Sequence, residues 1–190
     1  MRKNLFNISD LSKEELKFVL STEIVPNSLK SKNIGLIFEK PSTRTRISFS
    51  TGIFKLGGNS IDIKFDELNI SRDESFEDTF RALNCYLDCI IYRTSDHTKL
   101  TKSSKYFKKP MINALSDISH PCQIISDLLT LKDIFGELNI KICWFGDVNN
   151  VLYSLIEAAN LIEEIELFIF TPEYCEKKIS LIINKNIKIF

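Results

Sequence analysis

Short apolar runs alternate with helical segments along most of the chain, and this alternation restricts the fold more than any other feature. Runs of strand length occur at 33–39, 61–63, 88–92, 111–114, 141–145 and 165–170. Segments in which apolar residues recur at helical spacing lie between them, at 43–56, 75–86, 121–131 and 151–162. Because parallel strands need a long crossover, usually a helix, the sequence predicts an α/β fold with a mostly parallel sheet covered on both faces.

The alternation restarts near residue 139, after the helix that begins at Pro121. We therefore predict a domain boundary at 134–139, with a first domain at 1–134 and a second at 135–190. The second segment contains two or three predicted strands, and we interpret its run 141–145 as a buried strand. This number of strands is too small for a complete doubly wound domain, so we expect the second domain to be incomplete.

Composition and charge argue against two classes of partner. The chain has 190 residues, of which 44% are hydrophobic, and its formal net charge is zero. A nucleic-acid-binding domain normally carries a basic excess, which is missing here. No apolar stretch approaches the ~18–20 residues of a membrane span, and no apolar region follows the basic N-terminus, so we expect neither a membrane anchor nor a signal peptide.

The five cysteines are Cys85, Cys89, Cys122, Cys143 and Cys175. Their number is odd and no Cys-x-x-Cys spacing occurs, so we expect neither a disulfide framework nor a zinc site. Free cysteine is among the most buried residue types. We therefore predict that all five are reduced packing residues in a cytoplasmic protein.

Residues 38–46, Phe-Glu-Lys-Pro-Ser-Thr-Arg-Thr-Arg, crowd hydroxyls and guanidinium groups directly after a predicted buried strand. Ser42 suits the N-cap of the following helix, whose first-turn N–H groups, on Thr43, Arg44 and Thr45, have no partner within the helix. A helix N-terminus carries about half a positive charge and favours phosphate. The sequence therefore predicts a phosphate site here, and the alternative is a capped helix with a basic surface turn.

The two arginines of this stretch are expected to do different things. Residues two apart on a helix point about 200° away from each other, so Arg44 and Arg46 do not readily share one ligand. We expect Arg44 to face the anion and Arg46 to brace the structure or an interface.

Other polar residues lie where strands end or helices begin. Arg93 follows a buried strand, so its guanidinium can reach a strand-end site, and the alternative is a surface ion pair. Pro121 suits the first helical position, which places His120 at or near the N-cap and Gln123 on the same face, where both can bond a carbonyl or amide. The alternative for His120 is a side chain satisfied by local backbone. His97 is expected to be a solvated loop residue.

Two motifs resemble the signatures of the aspartate/ornithine carbamoyltransferase family. Residues 38–46 resemble its carbamoyl-phosphate signature, and His-Pro-Cys-Gln at 120–123, followed by Ile-Ile-Ser-Asp-Leu-Leu-Thr-Leu, resembles its second signature. Lys40 and the Gly-Asp-x-Asn-Asn form at 146–150 are closest to the ornithine carbamoyltransferases, since the aspartate branch usually reads Phe-Glu-Pro-Ser. The resemblance covers essentially the whole chain and implies a parallel-sheet carbamoyl-phosphate domain followed by an incomplete Rossmann-like ornithine domain.

The resemblance also implies roles for individual residues. The phosphate would be held by Ser42, Thr43, Arg44 and Thr45. The carbamoyl group and its bridging oxygen would be contacted by Arg93, His120 and Gln123, and the catalytic donors to the carbonyl oxygen would be Thr45, Arg93 and His120. Asn69, with a shorter amide, falls where relatives often place Gln or His, and the resemblance implies that it contacts carbamoyl phosphate. Asn150 matches the asparagine that binds the α-amino acid end of ornithine, and the alternative for Asn149 and Asn150 is a helix cap. Val148 replaces the glycine that is common at this position in the family, and we expect it to alter the turn.

The reaction that the resemblance implies is transfer of the carbamoyl group from carbamoyl phosphate to the δ-amine of L-ornithine, in arginine biosynthesis, with no metal or organic cofactor. Members of the family are trimers, with sites between subunits completed in part by the 66–75 loop. They also continue with a Ser-Met-Gly segment, a His-Cys-Leu-Pro motif and a late arginine, none of which occurs here. Three interpretations stay open: a truncated ornithine carbamoyltransferase, a carbamoyl-phosphate-binding module or half of a split enzyme, and a fragment of an aspartate- or putrescine-type enzyme.

Overall fold

The structure is a computed structural model that describes residues 4–68, 70, 74–176, 179 and 183–190. Asn69, a predicted carbamoyl-phosphate contact, lies outside the described residues, as does part of the 66–75 loop. The described chain forms two compact units. The first contains residues 4–6 and Glu23–Asp117, and the second contains Asn7–Thr22 and Ile118–Phe190.

The regular elements follow the predicted alternation. The strands are β1 (Asn33–Phe38), β2 (Asn59–Lys64), β3 (Cys89–Arg93), β4 (Met111–Leu115), β5 (Lys141–Phe145), β6 (Glu166–Phe170) and β7 (Ile187–Ile189). The helices are α1 (Lys13–Val19), α2 (Thr43–Lys55), α3 (Phe76–Tyr86), α4 (His97–Ser104), α5 (Pro121–Phe135), α6 (Asn150–Leu161) and α7 (Glu173–Glu176). Short 3-10 turns occur at Ile8–Asp10 and Phe65–Glu67.

Local sequence signals set several of the helix ends. Helix α3 begins after Ser75, whose hydroxyl accepts a hydrogen bond from the backbone N–H of Asp78 at 3.0 Å. Helix α5 begins at Pro121, which has no N–H to leave unpaired, and ends at Gly136, whose φ of 81° lies in the left-handed region that glycine tolerates.

The sheet of the first unit has the strand order β2-β1-β3-β4, and all of its pairings are parallel. Because side chains alternate along a strand, β1 contributes to both faces. Leu36 packs with Ile53 of α2 on one face, while Ile37 packs with Phe80 of α3 and Tyr92 on the other. Helices therefore cover both faces of this sheet, as predicted.

The sheet of the second unit has the order β5-β6-β7, also with parallel pairings. One face packs against α1, α5 and α6 through a single apolar cluster that includes Leu16, Leu128 and Ile156. The opposite face carries stacked phenylalanines, of which Phe145 is 73% exposed and Phe190 is 56% exposed. The prediction that 141–145 is a buried strand is therefore wrong for one face, since the described helices cover only the other.

The mixed α/β fold with parallel sheets is confirmed. Helix α5 belongs to the same compact unit as the second sheet, whereas the predicted first domain extends to residue 134 and includes this helix. The division into functional domains at 134–135 stays a prediction. Among the described helices, none has the length and apolar character that crossing a membrane requires.

The five cysteines are free, but they do not share one environment. Cys175 is buried, Cys89 and Cys122 are partly buried, and Cys85 and Cys143 are exposed. The prediction that all five are packing residues is therefore wrong for the two exposed thiols. Burial raises the pKa of the Cys89 thiol to about 11 and that of the Cys122 thiol to about 12.

Candidate functional site

The polar turn between β1 and α2 presents an open helix N-terminus. Ser42 has the extended N-cap conformation (φ −152°, ψ 100°), yet its side chain forms no capping hydrogen bond with the helix. The first hydrogen bond of the turn runs from the Arg46 N–H to the Ser42 carbonyl at 3.2 Å, so the preceding N–H groups, on residues 43–45, have no helical acceptor. No acidic residue occupies the first turn, so no carboxylate of the helix neutralises the partial positive charge at its N-terminus.

The two arginines of α2 differ as their spacing predicted. Arg46 donates from Nη1 to Asp62 Oδ2 of β2 at 2.9 Å, with both side chains about half exposed. This ion pair is a brace between α2 and the edge strand. Arg44 is exposed, and its contact with a phosphate stays a prediction.

A cavity of about 480 Å³ opens beside this helix end. Ser42, Thr43 and Arg46 line it on the α2 side, and Lys64 and Phe65 line it on the β2 side. It lies at the carboxyl ends of neighbouring parallel strands, which is where α/β sheets bind ligands. The cavity is large enough for a small phosphorylated molecule.

Arg93 reaches the same edge of the sheet. It is the last residue of β3 and is in register with Phe38, the last residue of β1. Its Nε atom is buried and has no hydrogen-bond partner among the described residues, and desolvation lowers the pKa of the Arg93 guanidinium. A buried donor without a partner is costly, and an anion at this edge would supply the missing acceptor.

His120 and Gln123 lie in the second unit, at the start of α5. His120 is the N-cap residue, as the position of Pro121 predicted, and its backbone N–H donates to Ser154 Oγ of α6 at 2.9 Å. Gln123 is exposed, and its Nε2 donates to Asp127 Oδ1 at 2.8 Å, so its amide is engaged one turn along the helix. Any contact of Gln123 with a ligand requires this bond to open.

Ser154 is a residue that sequence reasoning missed. It is fully buried in α6, and its hydroxyl also lies 3.1 Å from the hydroxyl of Ser119. It therefore fixes the backbone that carries His120. The available signal was helical spacing, because Ser154 follows Asn150 by one turn on the same face.

The adjacent asparagines of α6 separate into two roles. Asn149 is the N-cap, and its Oδ1 accepts hydrogen bonds from the N–H groups of Val151 at 2.9 Å and Leu152 at 3.1 Å. The helix-cap alternative therefore applies to Asn149, and Asn150 is the first helical residue. Among the described residues other than glycine, positive φ occurs at positions 27 and 31, so Val148 occupies its turn without that strain.

His97 is not the solvated loop residue that the sequence predicted. It is half-buried as the first residue of α4, its Nδ1 lies 2.8 Å from Ser116 Oγ, and its ring meets Phe6 edge-on with centroids 6.4 Å apart. The signal that was missed is Asp96, which caps α4 by accepting a hydrogen bond from the Thr98 N–H at 3.0 Å. In the described part of the chain, no cluster of His, Cys, Asp and Glu side chains is arranged to hold a metal ion.

Comparison with known proteins identifies the family. The model of the aspartate/ornithine carbamoyltransferase carbamoyl-P binding domain matches residues 3–133. This match covers more than half of the chain and includes the α2 turn, Arg93 and the start of α5. The chain belongs to the aspartate/ornithine carbamoyltransferase family.

Within the family, the similar proteins are ornithine carbamoyltransferases. The enzyme of Aquifex aeolicus is 42% identical over 183 aligned residues, and the match covers 91% of this chain and 60% of that protein. The enzyme of Methanococcus aeolicus is 40% identical over 178 residues, 90% of this chain and 58% of that protein. The chain thus spans about 60% of the length of these curated relatives.

Solved structures agree with this assignment. Ornithine carbamoyltransferase from Pyrococcus furiosus superposes with a TM-score of 0.89 at 32% identity, over 99% of this chain and 66% of that chain. The enzyme from Burkholderia thailandensis gives a TM-score of 0.89 at 28% identity, over 99% of this chain and 69% of that chain.

Proposed function

We propose that the first unit binds carbamoyl phosphate as the carbamoyl-phosphate domain of an ornithine carbamoyltransferase. The observation that carries this proposal is the open N-terminus of α2, whose side chains and N–H groups lie at the same sheet edge as the buried Nε of Arg93. Both features present hydrogen-bond donors that have no acceptor in the described structure, and a bound anion would accept hydrogen bonds from them.

The phosphate would bind against the first turn of α2. The N–H groups of residues 43–45 donate to its oxygens, the hydroxyls of Ser42 and Thr43 add further donors, and the Arg44 guanidinium turns inward to neutralise the dianion. Charge-assisted hydrogen bonds of this kind are about twice as strong as neutral ones.

Transfer of the carbamoyl group would use donors aimed at the carbonyl oxygen. In this proposal Thr45, Arg93 and His120 stabilise the charge that develops there when the neutral δ-amine of L-ornithine attacks, and each such donor is worth about 2.7–4 kcal/mol. Gln123 and Asn69 contact the carbamoyl phosphate, and Asn150 binds the α-amino acid end of ornithine. Phosphate leaves and L-citrulline forms, a step of arginine biosynthesis.

The rate is expected to rise with pH through the range in which the bound ornithine amine loses its proton, because only the neutral amine attacks. We propose that the enzyme acts in the cytoplasm as a homotrimer, without a metal or organic cofactor. Aspartate- or putrescine-type carbamoyl transfer remains the alternative chemistry for the same phosphate site.

A second candidate is that the chain is a carbamoyl-phosphate-binding module or one half of a split enzyme. The exposed phenylalanine face of the second sheet favours this second candidate. It includes Phe145, which is 73% exposed and stacked on Phe170, and an exposed apolar surface of this kind normally packs against protein. The chain covers 60% of the Aquifex aeolicus enzyme, so about 40% of that enzyme has no counterpart in this chain. In this candidate, a polypeptide with the remaining sequence of such a relative covers the phenylalanine face and provides contacts with ornithine.

Calorimetry and a citrulline assay on the purified chain test these proposals together. We expect heat of binding with carbamoyl phosphate but no citrulline from the chain alone, and citrulline when the remaining part of a relative is added. No heat at millimolar carbamoyl phosphate would refute the binding site. Citrulline formation by the chain alone would refute the need for the remaining part.

Arg44→Ala and His97→Ala form a matched pair for the phosphate site. Arg44→Ala is expected to abolish the thermal stabilisation that carbamoyl phosphate gives. His97→Ala is expected to keep that stabilisation, although it lowers the unfolding temperature of the free chain by removing the contacts with Ser116 and Phe6. Equal loss of the ligand effect in both variants would contradict the assignment of Arg44.

A further inference from the structure

The carboxylate of Glu39, the residue after β1, collects hydrogen bonds from side chains elsewhere in the first unit. Its Oε1 accepts from the Tyr92 hydroxyl at 2.6 Å and from Lys99 Nζ at 2.9 Å. Its Oε2 accepts from the Thr94 hydroxyl at 2.9 Å and from Lys99 Nζ at 3.0 Å. The Glu39 side chain is only 9% exposed. These bonds therefore form largely away from water, where losing a partner is costly.

Two of these partners flank Arg93. Successive side chains of an extended chain point to opposite faces, so Arg93 is directed away from the face on which Glu39 holds Tyr92 and Thr94. The register between β3 and β4 shifts between Tyr92 and Arg93, so the ladder is irregular on that side, while on the other side Arg93 stays in register with Phe38 of β1. The Glu39 N–H also donates to the Arg93 carbonyl at 3.0 Å. Glu39 thus holds the end of β3 by both main chain and side chain.

Glu39 also lies next to the start of α2. It precedes Ser42 by three residues and lines the same cavity of about 480 Å³. A bare carboxylate in this place would repel an anion at the helix N-terminus. Lys99 prevents this by pairing with both carboxylate oxygens, and its Nζ lies 4.9 Å from the centroid of the Phe65 ring, which lines the cavity.

We propose that Glu39 is a positioning residue of the phosphate site: its carboxylate fixes the start of α2 relative to Arg93, while Lys99 cancels its charge. This inference rests on the proposed function, because it assumes that carbamoyl phosphate binds at this sheet edge. Glu39 does not touch the ligand. It acts by holding Arg93 and the α2 turn at one separation, which a small rigid dianion requires.

Asp88 provides a matched control in the same unit. Its carboxylate connects the amino ends of β1 and β3, whereas Glu39 lies at their carboxyl ends. Asp88 Oδ2 accepts from the Asn33 N–H at 2.9 Å, and Oδ1 pairs with Lys32 at 3.3 Å. We expect Glu39→Gln and Glu39→Ala to weaken carbamoyl phosphate binding in calorimetry by about tenfold or more, as losing one charged hydrogen bond would. Asp88→Asn and Asp88→Ala should lower the unfolding temperature but keep the affinity within about twofold.

The outcomes separate this inference from the proposed function. Wild-type binding with equal affinities in the Glu39 and Asp88 variants refutes the positioning role and leaves the phosphate site standing. If the wild-type chain binds neither carbamoyl phosphate nor inorganic phosphate, the proposed function fails and this inference fails with it. Glu39→Gln keeps the shape of the side chain and serves the comparison if Glu39→Ala does not fold.

The charge-cancelling role of Lys99 has its own test. Lys99→Met leaves the Glu39 carboxylate unneutralised beside the site, so we expect weaker binding of carbamoyl phosphate than in the Glu39→Gln/Lys99→Met double variant. Wild-type affinity in Lys99→Met would contradict this role.

Discussion

Replacing Thr43 by proline isolates the contribution of one backbone donor to phosphate binding. Proline is favoured at the first helical position, where its missing N–H has no helical acceptor to lose. The preceding residue, Ser42, is extended (φ −152°, ψ 100°) and so lies outside the α region that a following proline disfavours. Thr43 is exposed, so its replacement should change the free energy of unfolding by no more than about 0.5 kcal/mol. The helix should persist while its N-terminus loses one N–H.

The effect on binding follows from the charge of the ligand. A hydrogen bond to a charged group contributes about 1.5–3 kcal/mol, which corresponds to a factor of about 10–150 in the dissociation constant. Thr43→Ala is the control, because it removes the hydroxyl and the branched side chain but keeps the N–H. We expect Thr43→Pro to bind carbamoyl phosphate about 10–150 times more weakly than Thr43→Ala in isothermal titration calorimetry.

The helix content of both variants is checked by circular dichroism. Equal affinities of Thr43→Pro and Thr43→Ala, with intact helices, would refute the reasoning, because the N–H of residue 43 would then not contact the phosphate. A loss of helix in Thr43→Pro alone would refute the structural part, namely that α2 begins at Thr43.

Three further predictions concern stability and reactivity. Phe80→Ala should lower the free energy of unfolding by about 3–5 kcal/mol in urea titrations, because Phe80 is fully buried between two aromatic rings, and a loss below 1 kcal/mol would contradict its place in the core. At pH 8 a thiol reagent should modify the exposed Cys85 and Cys143 first and Cys122 slowly, since burial raises the pKa of Cys122 to about 12. Mass spectrometry measures the order of modification, and faster modification of Cys122 would contradict this prediction. A backbone hydrogen bond at Glu164 itself, followed by the bonds from Lys17 and Lys13 of α1, lowers the pKa of Glu164 from 4.5 to about 2. Its stabilisation, of at most about 1 kcal/mol, is therefore present above pH 4.5 and lost as the pH falls through 2, so Glu164→Gln should destabilise the chain at pH 7 and have no effect below pH 2.

The junction of β1 and α2 could be predicted from sequence because every signal there is local. An apolar run ends, a proline and a serine follow, and the helix begins at Thr43 as expected, ending at Lys55 one residue before the predicted end. The turn at Gly57, with φ of 79°, is equally local because a glycine pair permits it.

The features that sequence reasoning missed depend on short or distant signals. Helix α4 contains one buried apolar residue, Leu100, with a buried Ser103, so it lacks the periodicity that marks a helix. The partners of Glu39 come from β3 and α4, and no local pattern connects them. The exposed face of β5 was missed because a short apolar run does not show whether one face or both are covered.

The most direct measurement is a crystal structure of the chain with carbamoyl phosphate bound. We expect phosphate oxygens at about 2.7–3.2 Å from the backbone nitrogens of residues 43–45, with the Arg44 guanidinium turned onto the phosphate and Arg93 Nε hydrogen-bonded to the ligand. Electron density for the ligand elsewhere, or an empty helix N-terminus with Arg44 still in solvent at saturating ligand, would contradict it.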